Sequence, residues 1–265
     1  MLPRVNLVRA DAADFLLFST ADSVSSTIYN TGSWASPMLT ISGMFHQGET
    51  APLILDVGAN LGAYAIPIAK EIAAGGGQVY CYEPQRIVYY QLCGNTFLNR
   101  LDNLYAFNMA IGAEDGTVTI PAIDYGLSKN IGGFSLDAQA TSLLGSVAID
   151  AGHQGNAVPL ARLDSLTFPK GPALIKIDVE GLELQVLQGA TGLLETHAFP
   201  PLLLEAWKLE WFKDRRGELL QYLARLGYQC FEIMDEIVAQ HPSFPRQVQF
   251  VGDLATGGIQ MIRTR

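Results

Sequence analysis

The pattern of apolar and polar positions changes character near residue 50. Before it, apolar residues are scattered among Ser, Thr and Gly. That mixture predicts short strands or one or two short helices, forming an N-terminal extension over 1–50. After it a rhythm begins. LILDV (53–57) is a continuous apolar run ending in an acid. Gly-Ala-Asn-Leu-Gly follows, then a helical stretch over roughly 61–74 closed by Gly75-Gly76-Gly77. Pro67 marks the first turns of that helix or kinks it. QVYCYEP (78–84) predicts a strand stopped by Pro84, 86–99 a helix, and LYAFNMAIG (104–112) a strand. Glu114-Asp115-Gly116 reads as a turn, with the strand TVTIP (117–121) beyond it.

Residues 122–158 are rich in Gly, Ser and Ala with weak periodicity, which predicts a functional or mobile loop insert. The rhythm then resumes. ALIKIDVEG (173–181) is a strand ending in acids, 183–196 a helix weakened by Gly189 and Gly192, and PLLLEAW (201–207) a strand. A helix over 214–226 ends near Gly227, and YQCFEIM (228–234) and IQMIRT (259–264) close the chain as strands. Strands alternating with helices of this length indicate parallel βαβ units. Continuous apolar runs fit strands covered on both faces, and the two closing pieces suggest an antiparallel edge. The expectation is an α/β fold with one large domain over 51–265 behind the extension. Ligands of an open α/β sheet bind outside the carboxyl ends of its strands. That directs attention to Asp56, Glu83, Asn108, Asp178, Glu180 and Glu205.

Composition narrows the function classes. The chain has 265 residues, and 49% of them are apolar, enough for a sizeable core. The net charge of −9 leaves few cations to neutralise phosphates, so general nucleic-acid binding is not expected. A charged fraction of only 16% hints at apolar surface covered by a ligand or partner. Cys81, Cys93 and Cys230 form no Cys-x-x-Cys pair and are odd in number, so neither a disulfide framework nor a zinc cluster is expected. Cys81 reads as a buried inert thiol. The short apolar run FLLF (15–18), flanked by Asp11, Asp14 and Asp22, does not make a secretory segment, and no stretch approaches a membrane span. The chain therefore reads as cytoplasmic and soluble, with its oligomeric state undetermined.

The first strand runs into Asp56-Val-Gly58-Ala-Asn60-Leu-Gly62, where glycines allow a tight turn and close approach to a ligand. Glu83, at the end of the next strand, is placed to accept both hydroxyls of a ribose. Together they describe a nucleoside site. A dinucleotide fingerprint starting at Gly58 would need glycine at positions 60 and 63, and the chain has Asn60 and Ala63. The spacing Asp-x-Gly-x-x-x-Gly fits S-adenosylmethionine enzymes instead. Asn108 offers both a donor and an acceptor, suited to an adenine edge; it equally suits capping a strand-end turn.

LILDVGANLGAYAIPIA, YCYEP, NMAIGAEDGTVTI, ARLDSL and LIKIDVEGLELQVLQGA together resemble the FkbM-type methyltransferases, from about residue 53 to 207. The resemblance implies a Rossmann-like seven-stranded sheet, mostly parallel with an antiparallel edge strand and helices on both faces. It implies S-adenosyl-L-methionine as cofactor and O-methylation of a sugar or natural-product hydroxyl, with N-methylation of a peptide or protein side chain as the alternative. It places the cofactor site on Asp56, Gly58, Asn60, Gly62, Glu83, Pro84, Asn108, Ala110 and Asp178. The segment 29–34 resembles the family's entry segment but continues with Ala35 where an acid is common. A non-catalytic scaffold retaining the fold is a remoter reading.

The acidic strand end has its own logic. Asp178 and Glu180 would point to opposite faces of an extended strand, unless a turn at Gly181 brings them together. Lys176 shares a face with Asp178 and could pair with it. Methyl transfer from an activated donor mainly requires alignment, but a hydroxyl acceptor must also lose its proton, which suits a carboxylate or histidine. The candidates are Asp178, Glu180, Glu205, His153 and His241. Asp178, held on a strand, is preferred as the base, with Glu180 and Glu205 beside it. His153 reads as an exposed loop residue, as do His46, His197 and His241. The acid spacing is no metal signature, and no metal is expected. The extension and the 122–158 insert are expected to line the acceptor pocket. The partner is then a small glycan or natural-product acceptor, with no nucleic acid and no membrane span.

Overall fold

The structure is a computed structural model that describes residues 4–20, 22–34, 36–124, 131–133, 135, 155–252 and 258–264. Its centre is a seven-stranded sheet. Five strands run parallel: β3 (Leu53–Val57), β4 (Gln78–Tyr82), β5 (Leu104–Phe107), β9 (Leu174–Ile177) and β10 (Leu202–Glu205). β11 (Gln229–Ile233) and β12 (Glu236–Gln240) complete it, β12 lying antiparallel to both its neighbours. The strand order is β11-β12-β10-β9-β3-β4-β5. The order reverses beside β3, so the crevice for a ligand falls at the carboxyl ends of β3, β4 and β9.

Alternate residues of each strand face opposite layers. On β3, Leu53, Leu55 and Val57 pack into one cluster and Ile54 into the other. The first cluster meets α5 (Glu183–Gln188), α6 (Thr191–Thr196) and α7 (Lys213–Arg225) through Val186, Leu194 and Leu223. The second meets α1 (Ser23–Thr31), α2 (Ser36–His46), α3 (Ala65–Ala73) and α4 (Arg86–Leu98) through Ile28, Phe45, Ile68 and Leu92. Covering both faces is why the strands read as unbroken apolar runs. Each fully buried Leu or Ile contributes about 1.5–3 kcal/mol.

The extension is structured: β1 (Val5–Arg9) and β2 (Asp14–Phe18) form a hairpin before α1 and α2. Several expected elements differ. The helix over 61–74 begins only at Ala65, with Pro67 in its first turn, where a missing N–H costs nothing. The strand 104–112 divides at Asn108-Met109. Its second part, β6 (Ala110–Ile111), joins a separate sheet with β7 (Gly116–Ile120) and β8 (Asn156–Ala161). β8 begins inside the expected insert. The helix 183–196 breaks into α5 and α6 at Gly189, where a Cβ would collide with the carbonyl oxygen of Gly112. The closing strand, β14 (Ile259–Arg263), leaves the central sheet and pairs with β13 (Val248–Gly252). The antiparallel edge is made instead by β11 and β12. Among the described residues no helix is long and apolar enough to cross a membrane.

Candidate active site

A cleft of about 220 Å³ opens at the carboxyl ends of the parallel strands. Its floor is the turn after β3. Gly58 has φ +84°, and a Cβ there would collide with the carbonyl oxygen of Asp178, so only glycine lets the turn pass the neighbouring strand end. Gly62 has φ +92° and lies against Ile66 and Leu92. It shapes the turn from behind rather than lining the cleft. The backbone N–H groups of Gly58 and Ala59 both donate to the Tyr82 carbonyl, which ties the turn to β4.

Glu83 closes β4 and is 4% exposed. Its Oε2 accepts from the Asn60 backbone N–H at 2.9 Å and its Oε1 from that of Gln85 at 2.8 Å. Burial is the main cause that pushes its carboxyl up to about 7, against the pull of those two hydrogen bonds. Each oxygen keeps a lone pair for a further donor, and Glu83 lines the cleft beside Pro84 and Gln85. Asn60 sits at φ +51° and turns its Oδ1 onto the Leu61 N–H at 2.7 Å.

Asn108, expected at the adenine, holds the turn after β4 with its amide nitrogen. Its Nδ2 donates to the carbonyls of Glu83 at 2.9 Å and Pro84 at 3.0 Å, so both amide hydrogens hold the turn after β4. It is not among the residues lining the cleft, whereas Ala110 is, with Met109 and Ile111.

The acidic strand end folds as a tight cluster. β9 stops at Ile177, and Glu180 adopts φ +57° ahead of Gly181 at +94°. The chain therefore turns, and carboxylate oxygens of Asp178, Glu180 and Glu205 lie within 4.8 Å of one another. Glu183, missed in the sequence, fixes this turn: its Oε1 accepts from the backbone N–H groups of Val179 and Gly181, each at 3.1 Å. An acid in the first turn of a helix reaching back to preceding amides is a capping pattern that the sequence carries.

Lys176 organises the charges. Its Nζ contacts Asp56 Oδ1 at 3.2 Å and Asp178 Oδ2 at 3.1 Å. Burial works to lower the ammonium's pKa, but Asp178 and Asp56 outweigh it, and the group stays protonated. Burial also raises Asp56, which is fully buried, against the lowering effect of Lys176. These two tendencies conflict, and the 3.2 Å contact to a persistent cation favours the ion pair. Asp56 is thus a buttress below the cleft, not part of its lining.

Glu205 differs. Its Oε2 is buried without a hydrogen-bond partner. Burial, then Asp178 and Glu180, push its carboxyl well above the usual range, and Glu180 is pushed up by burial and Asp178 in the same way. Glu236 lies opposite Glu205 across β10 and β12 and is raised to about 7, mainly by burial.

The wall of the cleft includes Ser23, Val24 and Trp34 from the extension and Gly132 from the insert. Sequence reasoning named the segment that ends in Trp34 and expected the extension and the insert at the acceptor pocket, but it did not single out Ser23, Val24 or Gly132, which come from segments with weak periodicity. His153 and Ala35 lie outside the described residues. His241 is remote: it stacks on Phe199 at 4.2 Å, beyond the opposite end of the sheet. His46, expected to be exposed, is buried at the end of α2, 3.9 Å from Glu71.

The model of the Methyltransferase FkbM domain matches residues 56–230. The hexuronic acid methyltransferase AglP of Haloferax volcanii is 26% identical over 159 residues, covering 59% of this chain and 57% of that protein. The chain therefore spans little more than half the length of this curated relative. A crystal structure of an FkbM methyltransferase from Methylobacillus flagellatus is 19% identical, with a TM-score of 0.45 over 72% of this chain and 43% of that one. M. jannaschii TYW2, solved in complex with AdoMet, is 13% identical, with a TM-score of 0.38 over 99% of this chain and 85% of that one.

Proposed function

The chain belongs to the FkbM methyltransferase domain family, and from that premise we propose that it transfers a methyl group from S-adenosylmethionine to a hydroxyl of a sugar or related natural-product acceptor. The observation that carries the chemistry is Glu205, which lines an acid-rich cleft beside the glycine turn and whose buried Oε2 has no hydrogen-bond partner. A sugar acceptor is in keeping with the name of the curated relative.

The residues present fit the cofactor. Gly58 lets the turn pass the Asp178 strand end and line the cleft, and Glu83 keeps free lone pairs for two ribose hydroxyls. Asn60, Pro84, Ala110 and Asp178 line the same cleft. When bound, S-adenosylmethionine supplies an electrophilic methyl carbon whose bond to sulfur breaks as the acceptor oxygen's bond forms. The protein's task is then to align the hydroxyl and remove its proton.

Asp178 was the preferred base from sequence, and its contact with Lys176 argues against that role. That contact occupies its Oδ2, whereas Glu205 Oε2 has no partner. Glu205, raised by burial and free at Oε2, takes the proton instead, while Asp178 and Lys176 fix the wall beside it. The extension and the insert serve as a lid over the acceptor, through Ser23, Val24, Trp34 and Gly132.

The test combines binding and turnover. Calorimetry should show binding of S-adenosylhomocysteine and no competition from NAD. With an acceptor in hand, Glu205→Gln should lower turnover about 10²- to 10⁴-fold with little change in cofactor affinity. Wild-type turnover in that variant would remove Glu205 from the chemistry.

A further inference from the structure

The N-terminal hairpin lies along α4, and side-chain amides hold it there. The Leu16 N–H donates to Asn95 Oδ1 and its carbonyl accepts from Gln91 Nε2, both at 2.6 Å, and Asp14 makes the same pair of bonds with Asn99. Leu16 packs over Gly94, where a Cβ would come within 3.1 Å of its Cδ1. Leu7 is paired with Leu16 across the hairpin, and Val5 with Phe18, so Val5 and Leu7 share that face. Tyr90 and Phe97 flank Gly94 on the same side of the helix. Val5, Leu7, Leu16, Tyr90 and Phe97 therefore form one apolar strip. It stands out as a ridge: Phe97 is 88% exposed, Leu7 58% and Tyr90 51%.

Four arginines border the strip. Arg9 follows Leu7 on the same face of β1, Arg4 precedes Val5, Arg86 stacks on Tyr90 at 5.7 Å, and Arg100 follows the C-cap of α4. Among the described residues none of the four is in an ion pair. By contrast Arg162 and Arg216 pair with Asp115 and Glu232, and Arg246 and Arg263 bind carbonyls of α2. Asp11, Asp14 and Asp102 fall at the Arg9 and Arg100 end; Asp22 and Glu83, toward the other end, are buried and engaged by backbone N–H groups. Arg86 stands in the first turn of α4, where a cation opposes the helix dipole, so helix stability does not account for it. In a chain of net charge −9, such a cluster runs against the overall balance.

We propose that this strip docks the protein on an anionic bilayer surface, with the arginines on lipid phosphates and the apolar side chains in the headgroup boundary. Exposed apolar residues bordered by cations combine the two attractions of peripheral membrane binding. A ridge suits a deformable bilayer, and guanidinium groups match phosphate oxygens two at a time. A second copy of the chain fits less well, because an isologous contact would set the arginines beside their own copies. The strip also adjoins the cleft. Phe18, opposite Val5, packs with Ile87, Val88 and Ile131, and Gln85, which lines the cleft, immediately precedes α4. A docked protein therefore holds the insert side of the cleft toward the bilayer.

Co-sedimentation of the full chain with vesicles tests this, using phosphatidylcholine alone and phosphatidylcholine mixed with phosphatidylglycerol. The wild type should bind the mixed vesicles about ten-fold or more tightly than the neutral ones, and less as salt is raised. Leu7→Ser with Phe97→Ser, and separately Arg4→Gln with Arg86→Gln, should each weaken that binding about ten-fold, with circular dichroism and the thermal transition unchanged. Absence of vesicle binding, or undiminished binding in both variants, overturns the proposal. Loss in the arginine variant alone shows adsorption by charge without insertion and overturns it too. So does self-association of the wild type that the Leu7 and Phe97 changes abolish while vesicles are not bound, since the strip then covers a second copy.

Discussion

Glu83 holds the glycine turn and, in the proposed function, the ligand with one carboxylate. Its two oxygens hold the glycine turn and the start of α4 through backbone N–H groups, and their remaining lone pairs face the cleft. Burial lifts its pKa to about 7 in the folded chain, above the ordinary value of 4.5. The sign of the linkage follows. This group's contribution to folding is fullest below pH 4.5 and is lost as pH rises through about 7, because the unfolded chain ionises first. Ribose binding runs the other way, since the ionised carboxylate is the better acceptor. Affinity for S-adenosylhomocysteine should hold above pH 7 and fall below it, by up to about ten-fold per pH unit. In Glu83→Gln the profile should be flatter and the affinity lower by about ten-fold or more at pH 8. Calorimetry across pH 5.5–8 checks this, and parallel profiles for both proteins would place the titration elsewhere. The placement of Glu83 and Gly58 at the ends of adjacent parallel strands was legible in the sequence, because it depends on local position. Asn108 was not: its amide is taken by the carbonyls of Glu83 and Pro84, partners 25 and 24 residues away that no local pattern reveals.

At the scale of elements, the strands with continuous apolar runs were readable and the hairpins were not. β11 and β12 are joined through Met234, which adopts φ +55° without the Gly or Asn that marks such a turn. β12 was therefore missed, although it is the reversed strand of the sheet. The β13–β14 hairpin was half seen, because its attachment is made by side chains rather than by sheet pairing. Arg246 Nη1 donates to the carbonyls of Phe45 at 2.6 Å and Gln47 at 3.1 Å, and Arg263 reaches Met44 and Gly43. Two cations thus cap the carboxyl end of α2, where the helix leaves carbonyls unpaired and its dipole is negative. These contacts are partly exposed, so Arg246→Ala should cost only about 1 kcal/mol. Amide hydrogen exchange should speed up in 248–252 and at the end of α2, with S-adenosylhomocysteine affinity unchanged. Unaltered exchange there would mean that the hairpin is held by its apolar contacts, chiefly the stacking of Phe231 on Phe250 at 4.6 Å.

At the scale of the whole molecule, the central sheet positions the cleft and chain segments far apart in sequence close it. The parallel βα core could be anticipated from the alternation of strands and helices, and the extension and insert were expected at the acceptor pocket, but the contact that joins them was not legible, since it depends on a residue outside the periodic region. Asp22 is buried and uses both oxygens. Oδ2 caps α1 by accepting from the Ser25 N–H at 2.8 Å, and Oδ1 accepts from the Ile131 N–H at 3.0 Å. Ile131 packs with Phe18, Ile87 and Val88, and its carbonyl accepts from Gln85 Nε2 at 3.0 Å. Gly132 then lies so close to Asn60 that a Cβ would collide with its side chain. One carboxylate therefore links the extension to the insert directly over the glycine turn. Replacing an N-cap acid by alanine costs about 0.5–2 kcal/mol through the helix alone. Asp22→Ala loses in addition the anchor of Ile131. Asp22→Asn keeps an Oδ1 acceptor for one of the two N–H groups. The expected order of S-adenosylhomocysteine affinity is wild type, then Asn, then Ala, with the protein folded throughout by circular dichroism. If affinity is the same in all three while thermal stability drops, Asp22 is only a helix cap, and the segment around Ile131 takes no part in holding the ligand.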